Sequence, residues 1–552
     1  MKGWLPPLAD RGFLVTTGML VIGAFLLRVY QLGKQELWID EALSFYTTTT
    51  RVDLDGVLLA EYTPPLYNLL LWRWGGWVGT SEANMRMLSV IFGTLFILAV
   101  IWAGATFFNR RVGLWAGAFA AIAPIHIYYS QEARAYALLV LVLMLSSVLL
   151  WRALRLQTPA SWVMATTTGM LALYTHYFAI LALLPTTFMV LIGQHRQHVR
   201  QTLVRLGVAT LVCALVYTPL LYWHLVRTNH SRAELGWIQS IWEATPPALA
   251  IPYTLEVFGL GSQAGFLNNL VKVYPYVTFP SSLRLLGFAL LLILGIWVAI
   301  PWKDDQLQIS FLRDRKIWLW TMLFLPLGTL WLVSFYQPLY TVGRYDLVAF
   351  PAYTLLMGLA MAKLQGAGRT GPLLTLCVTM AFSLLVGTKL VQYYQLPPRP
   401  PGPWPSARST AATLLPIVRN GDVVVFTGLR GLQILYYFSR EGFVWVGENC
   451  ENQEMGRRFG CRMFPLETEK TPATGHVSIP LQAVRDDLRI ILSALSEPGG
   501  TLWIVFNRGS YRGGRLLVPQ PDSFLVDELQ RMDFHFTPAD LKNSKGIFAF
   551  TR

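Results

Sequence analysis

Two adjacent carboxylates, Asp40 and Glu41, sit among Leu37, Trp38, Ile39, Phe45 and Tyr46, shortly after a long apolar run over residues 13–30. A carboxylate held at the edge of an apolar phase can accept a proton during a reaction, because its surroundings set its position and basicity. Asp followed by Glu also suits a helix N-cap and first turn, where both side chains complement unpaired N–H groups and the helix dipole. The two readings are compatible, since a capping carboxylate is also a positioned one.

Other polar groups interrupt apolar sequence farther along. Glu61 precedes Tyr62, Thr63, Pro64 and Pro65 and leads into residues 68–78, an aromatic segment too short to span a bilayer. Its Trp72, Trp74 and Trp77 suit a helix lying at the lipid headgroups, either as an anchor or as the wall of a site. Glu132 and Arg134 share a short break before Tyr136, as an exposed ion pair or as functional groups. His176 stands beside Tyr174 and Tyr177, as a hydrogen-bonding group or a base. Arg344, between Gly343 and Tyr345, lies at the mouth of an apolar run, where a guanidinium either snorkels or holds a phosphate in bidentate fashion. Asp40, Glu41, Glu61 and Glu132 are hard oxygen ligands, so a divalent metal stays open; their spacing follows no metal motif, and no cofactor is assigned.

The elements that must position these groups are membrane helices. Of the 552 residues, 54% are hydrophobic and only 14% charged, which is too little charge for a soluble protein. About eleven runs approach spanning length: residues 13–30, 87–108, 112–129, 136–150, 161–174, 178–192, 203–226, 283–301, 317–335, 347–362 and 372–393. A net charge of +14 raises nucleic acid as a partner. The basic residues cluster in one alternating set of connections, however, as the positive-inside bias produces, so membrane lipid is the expected counterion and nucleic acid is not. That orientation, set by Lys and Arg alone, puts Asp40, Glu41, Glu61, Glu132, His176 and Arg344 on the opposite, outer side. The spans hold few ionisable groups, which argues against a proton or ion path.

The expected architecture is therefore polytopic and α-helical over residues 1–395, with juxtamembrane helices in the first outer loop. A Pro-rich linker follows at 396–405, and then a small extracytoplasmic α/β domain at 406–552. Within that domain, helices are expected at 407–418, 429–438, 481–495 and 523–532, and strands at 422–426, 501–506 and 546–551. Of four Cys, Cys213 and Cys377 lie in apolar runs and read as buried thiols. Cys450 and Cys461 flank a polar stretch and are either a disulfide or two unrelated thiols.

Five segments taken in order resemble a known family: Asp40, Glu41 and Ala42; Pro64 to Tyr67; Tyr128 to Tyr136; His176 and Tyr177; and Gly343 to Tyr345. Together they are similar to the pattern of GT-C glycosyltransferases, in particular the bacterial group related to protein O-mannosyltransferases and to the aminoarabinose transferases of lipid A. The resemblance runs from about Trp38 to Pro351 and implies the GT-C fold. It also implies an enzyme of the bacterial inner membrane that passes a sugar from a polyprenyl-phosphate carrier to a glycan, lipid or protein acceptor at the outer face. Asp40 would then be the general base, Glu41 its neighbour, and Arg344 with Arg134 the holders of the donor phosphate. Glu61, Glu132, Tyr136, His176, Tyr177 and Tyr345 would support substrate. One departure is Thr63, which stands where the group often has His before the two prolines, so a role resting on that imidazole, metal binding included, does not carry over.

A transporter or flippase would show a repeat between halves and broken spans with polar midplane groups; neither is visible in the sequence. A scaffold or sensor would use the outer domain to bind a partner.

Overall fold

The structure, a computed structural model, describes residues 11–49, 63–192, 199–228, 236–261 and 315–395, and parts of the chain between 406 and 551. The chain divides into two compact units, Met1–Lys34 with Asp53–Pro397, and Gln35–Val52 with Pro398–Arg552.

In chain order the helices are α1 (Arg11–Val29), α2 (Ile39–Thr49), α3 (Leu66–Val78), α4 (Glu82–Phe107), α5 (Arg110–Ile122), α6 (Pro124–Ser130), α7 (Tyr136–Leu156) and α8 (Pro159–Thr175). They continue with α9 (Ala179–Ile192), α10 (Val199–Thr228), α11 (Gly236–Ala244), α12 (Pro247–Leu260), α13 (Arg315–Val333), α14 (Phe350–Gln365) and α15 (Gly371–Gln395). Among the described residues six are long and apolar enough to cross a membrane, or up to seven if the bent pair α5 and α6 is one span. The expected spans fall on these helices, with 161–174, 178–192 and 317–335 on α8, α9 and α13. The span expected at 283–301, the linker at 396–405, the helix at 481–495, Glu61, Cys450 and Cys461 lie outside the described residues.

Three expectations are corrected. Residues 112–129 do not form one straight helix: α5 and α6 meet at 64°. Proline biases the residue before it away from helical geometry, and Ala123 has φ −58°, ψ 115°. Pro124 also lacks the N–H that would reach back to the carbonyl of Ala120. The guanidinium of Arg28, on α1, supplies the donors instead, bonding Ala120 O at 3.2 Å and Ala121 O at 3.0 Å. It also donates to Ala24 O at 2.9 Å, Ser130 Oγ at 3.2 Å and His126 Nδ1 at 2.7 Å, and it is fully buried. Second, the stretch between the expected spans 203–226 and 283–301, given no helix by the sequence, holds two among its described residues, α11 and α12, because apolar runs too short to span still find a protein surface to pack on. Third, Cys377 is exposed on α15 and Cys213 half-buried, since a lipid-facing apolar residue has no need of a protein neighbour.

Small residues let α4, α5 and α14 approach closely, as helices do where lipid supplies no hydrophobic drive. A Cβ on Gly104 would come within 2.6 Å of Gly113 Cα, and one on Gly358 within 2.6 Å of Ala116 Cβ. Gly93 backs onto Ser130 and Arg28 in the same way.

In the second unit, β1 (Val423–Phe426), β2 (Leu502–Val505), β3 (His535–Thr537) and β4 (Ile547–Thr551) form a sheet in the order β1-β2-β4-β3. The pair β1 and β2 is parallel; β4 runs antiparallel to both of its neighbours. Asp422 clamps the parallel pair by accepting from Thr501 N at 2.8 Å and Trp503 Nε1 at 3.0 Å. The flanking helices are α16 (Ala407–Leu414), α17 (Arg430–Arg440) and α18 (Asp522–Arg531). These elements agree with the expected helices at 407–418, 429–438 and 523–532 and the expected strands. The first-loop helix α2 belongs to this unit: Phe45 meets Tyr436 edge-on at 4.9 Å, and Gln433 Nε2 donates to Leu37 O at 2.9 Å.

Arg28→Leu removes the replacement donors and leaves buried carbonyls unsatisfied, at a cost of roughly 3 kcal/mol or more. The thermal unfolding midpoint of the detergent-purified protein should drop by several degrees; an unchanged midpoint would contradict this role of Arg28.

Candidate functional site

Arg344 stands on a turn fixed from three sides. Gly343 adopts φ +73°, a conformation that glycine reaches without strain. Its N–H donates to Asp346 Oδ2 at 2.8 Å, and its carbonyl accepts from Tyr129 Oη at 2.6 Å. The Asp346 carboxylate also takes the hydroxyl of Thr254 on α12, which pairs with Tyr340 Oη at 2.8 Å. On this base Arg344 Nε donates to Tyr136 Oη at 2.7 Å, which fixes the plane of the guanidinium. Its Cζ lies 5.8 Å from the Tyr136 ring centre and 5.7 Å from that of Tyr345, within cation–π range.

His176 packs beside this group, its ring 5.8 Å from Tyr136, 5.7 Å from Tyr345 and 5.4 Å from Phe178. Nδ1 accepts from Phe178 N at 3.2 Å, which assigns the proton of the neutral ring to Nε2. Burial, then the charges of Arg344 and Arg134, lower its pKa to about 3. Such an imidazole is a neutral hydrogen-bonding group at physiological pH, not a general base. Burial likewise pushes Tyr177 up to about 12, so its phenol keeps its proton.

Glu132 and Arg134 are both buried, which overturns the exposed ion-pair reading. The Tyr128 phenol lies close to the Glu132 carboxylate. The Arg134 carbonyl accepts from Ser89 Oγ at 3.4 Å, which pairs with Tyr67 Oη at 2.8 Å, so the N-terminal ends of α3 and α4 help to place it. The first unit thus brings Arg344, Arg134, Tyr136, Tyr345 and His176 into one cluster. Glu132 joins it through Tyr128 and the neighbouring Tyr129, whose rings meet at 5.0 Å.

Asp40 and Glu41 lie in the second unit, in the first turn of α2. Asp40 is not the cap. Trp38 precedes the helix, its carbonyl accepts from Ala42 N at 2.9 Å, and its N–H donates to Glu41 Oε2 at 3.4 Å. That last contact is half of a capping box. It turns Glu41 inward to complete burial, while Asp40 stays partly exposed. Among the described residues no group of three or more His, Cys, Asp or Glu gathers as a metal site.

Sequence reasoning missed Tyr129, Asp346, Thr254 and Arg28. Tyr129 lay inside a segment already singled out, and Asp346, two residues after Arg344, was a readable signal. Thr254 gave none.

A bundle of long apolar helices with guanidinium, phenol and imidazole groups gathered in one cluster defines a polytopic membrane protein. Residues 62–223 match the family model of dolichyl-phosphate-mannose-protein mannosyltransferases. ArnT from Cupriavidus metallidurans bound to undecaprenyl phosphate is similar in structure, with TM-score 0.54 and 12% identity over 98% of this chain and 98% of that one. Its apo state gives 0.54 and 11% over 98% and 97%. The oligosaccharyltransferase of Archaeoglobus fulgidus in its apo form gives 0.51 and 12% over 90% and 69%. Among curated proteins none matches the chain in sequence. These likenesses show that the chain shares the fold of these GT-C membrane enzymes.

His176 makes stability depend on pH. As pH falls from about 6.5, its unfolded value, toward about 3, the unfolded chain binds a proton that the folded chain does not. Stability is then lost at up to ~1.4 kcal/mol per pH unit, and the loss ends below that window. His176→Asn should remove this component. Parent and variant with the same acid dependence of their unfolding midpoints between pH 7 and 4 would disprove the assignment.

Proposed function

We propose that the chain is an inverting glycosyltransferase that moves a sugar from a polyprenyl-phosphate carrier to an acceptor hydroxyl at the outer face of a bacterial inner membrane. The observation that carries this reading is the guanidinium of Arg344, fixed by Tyr136 on a braced glycine turn in a protein with the GT-C fold. ArnT, which shares that fold, is seen bound to undecaprenyl phosphate, and this supports the same class of carrier here.

In the proposed step the acceptor oxygen attacks the anomeric carbon, and the bond from that carbon to the phosphate oxygen breaks. Asp40 accepts the acceptor proton. The charge left on the departing lipid phosphate is stabilised by Arg344, with Arg134 adding positive potential. A single displacement inverts the anomeric configuration and needs no nucleophile on the protein. Tyr136 and Tyr345 orient Arg344, and neutral His176 offers Nε2–H as a hydrogen-bond donor. Glu41 holds the turn that presents Asp40; Glu132, Tyr177 and Glu61 are assigned to support of the bound sugar or acceptor.

The test is transfer in vitro from a synthetic polyprenyl-phosphate sugar, with both variants checked for normal folding. Asp40→Asn should lower turnover by ~10²-fold or more, the usual worth of a general base. Arg344→Ala should weaken donor binding and lower transfer by ~10²–10³-fold. Undiminished transfer by Asp40→Asn removes the base assignment, and normal donor binding by Arg344→Ala removes the phosphate role.

A further inference from the structure

We propose that the groove between α1, α5, α14 and α15 binds one acyl chain of an anionic glycerophospholipid drawn from the surrounding bilayer. The groove belongs wholly to the first unit and encloses about 630 Å³. Its lining includes the small residues Gly23 and Ala24 on α1 and Ala118 and Ala121 on α5, which leave room between the helices. A Cβ placed on Gly23 would meet nothing within 4 Å. Phe119, Phe382 and the two methionines Met357 and Met361 also line it, and the flexible thioethers suit a ligand that is itself a flexible chain.

Length and depth select the occupant. The α1 stripe that lines the groove runs from Met19 to Tyr30, a rise of roughly 16 Å at ~1.5 Å per residue. One leaflet contributes about half of a ~30 Å hydrocarbon core. The groove is therefore as deep as one leaflet, which fits an acyl chain, whereas a polyprenyl chain outreaches it. Its rim faces the bilayer, with Met19 68% and Leu26 60% exposed on a candidate span.

Charge selects the headgroup. Tyr30, at the end of the stripe, meets Tyr394 edge-on at 5.0 Å and accepts from Gln31 Nε2 at 3.2 Å. Lys34 stands one turn beyond, its Nζ donating to Gln31 Oε1 at 3.1 Å and to Tyr394 O at 2.8 Å. Aromatic rings followed by an ammonium form the collar expected at headgroup depth, and the ammonium favours an anionic lipid. A chain seated there would brace α1, and with it Arg28, against α15.

The test uses the full chain, delipidated and reconstituted in nanodiscs of phosphatidylcholine containing a small fraction of phosphatidylglycerol with a photoactivatable acyl chain. Labelling should saturate and should concentrate on peptides holding Gly23, Met357 and Met361. Gly23→Trp, which fills the groove, should cut that labelling at least fivefold while leaving the unfolding midpoint in detergent unchanged; Gly23→Leu serves if the larger residue does not fold. Lys34→Gln should abolish the preference for phosphatidylglycerol over phosphatidylcholine. The proposal fails if label spreads equally over the exposed face of α10 at Leu211 and Leu215, or if the groove-filling variant labels as the parent does. It also fails if equimolar undecaprenyl phosphate displaces the probe, in which case the groove serves the carrier.

Discussion

Pro124 cannot donate to the carbonyl of Ala120, and much of the first unit is arranged around the donor that replaces it, the buried guanidinium of Arg28. A cation in an apolar interior is costly unless its donors are matched, and here each guanidinium nitrogen has at least one acceptor. Because Arg28 only donates, His126 must present a bare Nδ1. With the break stabilised, α6 swings away from the axis of α5 and carries Tyr128, Tyr129 and Ser130 sideways. Tyr129 then reaches the carbonyl of Gly343, the residue that sets Arg344 in place. Placement of one arginine is thus coupled to burial of another.

The cluster around Arg344 has a consistent electrostatic logic. Burial first, and then the charges of two guanidiniums, hold His176 neutral. Phenols are the acceptors and ring faces that can accompany a cation without neutralising it, and Tyr136 does both. Two buried carboxylates accompany the guanidiniums: Glu132, close to the Tyr128 phenol, and Asp346, whose Oδ2 is taken by Gly343 N and Thr254. These charges are fixed by packing rather than by mobile surface groups, so salt screens them weakly.

Most of this architecture was legible in the sequence because apolar length is a one-dimensional property. The runs over 13–30, 87–108, 136–150, 203–226, 347–362 and 372–393 each became a long helix, and the alternating pattern after 406 became a small sheet with flanking helices. The break at Pro124 was in principle readable, since the proline stands in mid-run, but the apolar pattern continues unbroken across it. Arg28 was hidden for a related reason: an arginine at the end of a span looks like an interfacial residue until its carbonyl partners, some ninety residues away, are known. In the site, Arg344 and Tyr136 were legible as polar interruptions. Thr254 was not, because a threonine in an apolar run has many uses and its partner Asp346 is remote in sequence. The cap at Trp38 was misassigned to Asp40 because both carboxylates favour a first turn, and only the bond to Glu41 fixes which residue precedes the helix.

A bent span inside a helical bundle is also what a transporter employs, and this bears on how the break in α5 and α6 is understood. In such proteins the unwound carbonyls and half-helix ends take turns coordinating a mobile ion, so they must be exposed to it at some point of the cycle. Here the carbonyls of Ala120 and Ala121 are held by a cation that is part of the chain and cannot leave. The remaining space at the bend is closed by Gly93, whose lack of a side chain lets Ser130 and Arg28 pack against α4. A bend filled in this way does not open and close around an ion; it sets a fixed angle. Its consequence is geometric, the delivery of Tyr129 to the turn of Arg344, and that is what a site needs when its task is to hold one charged group still.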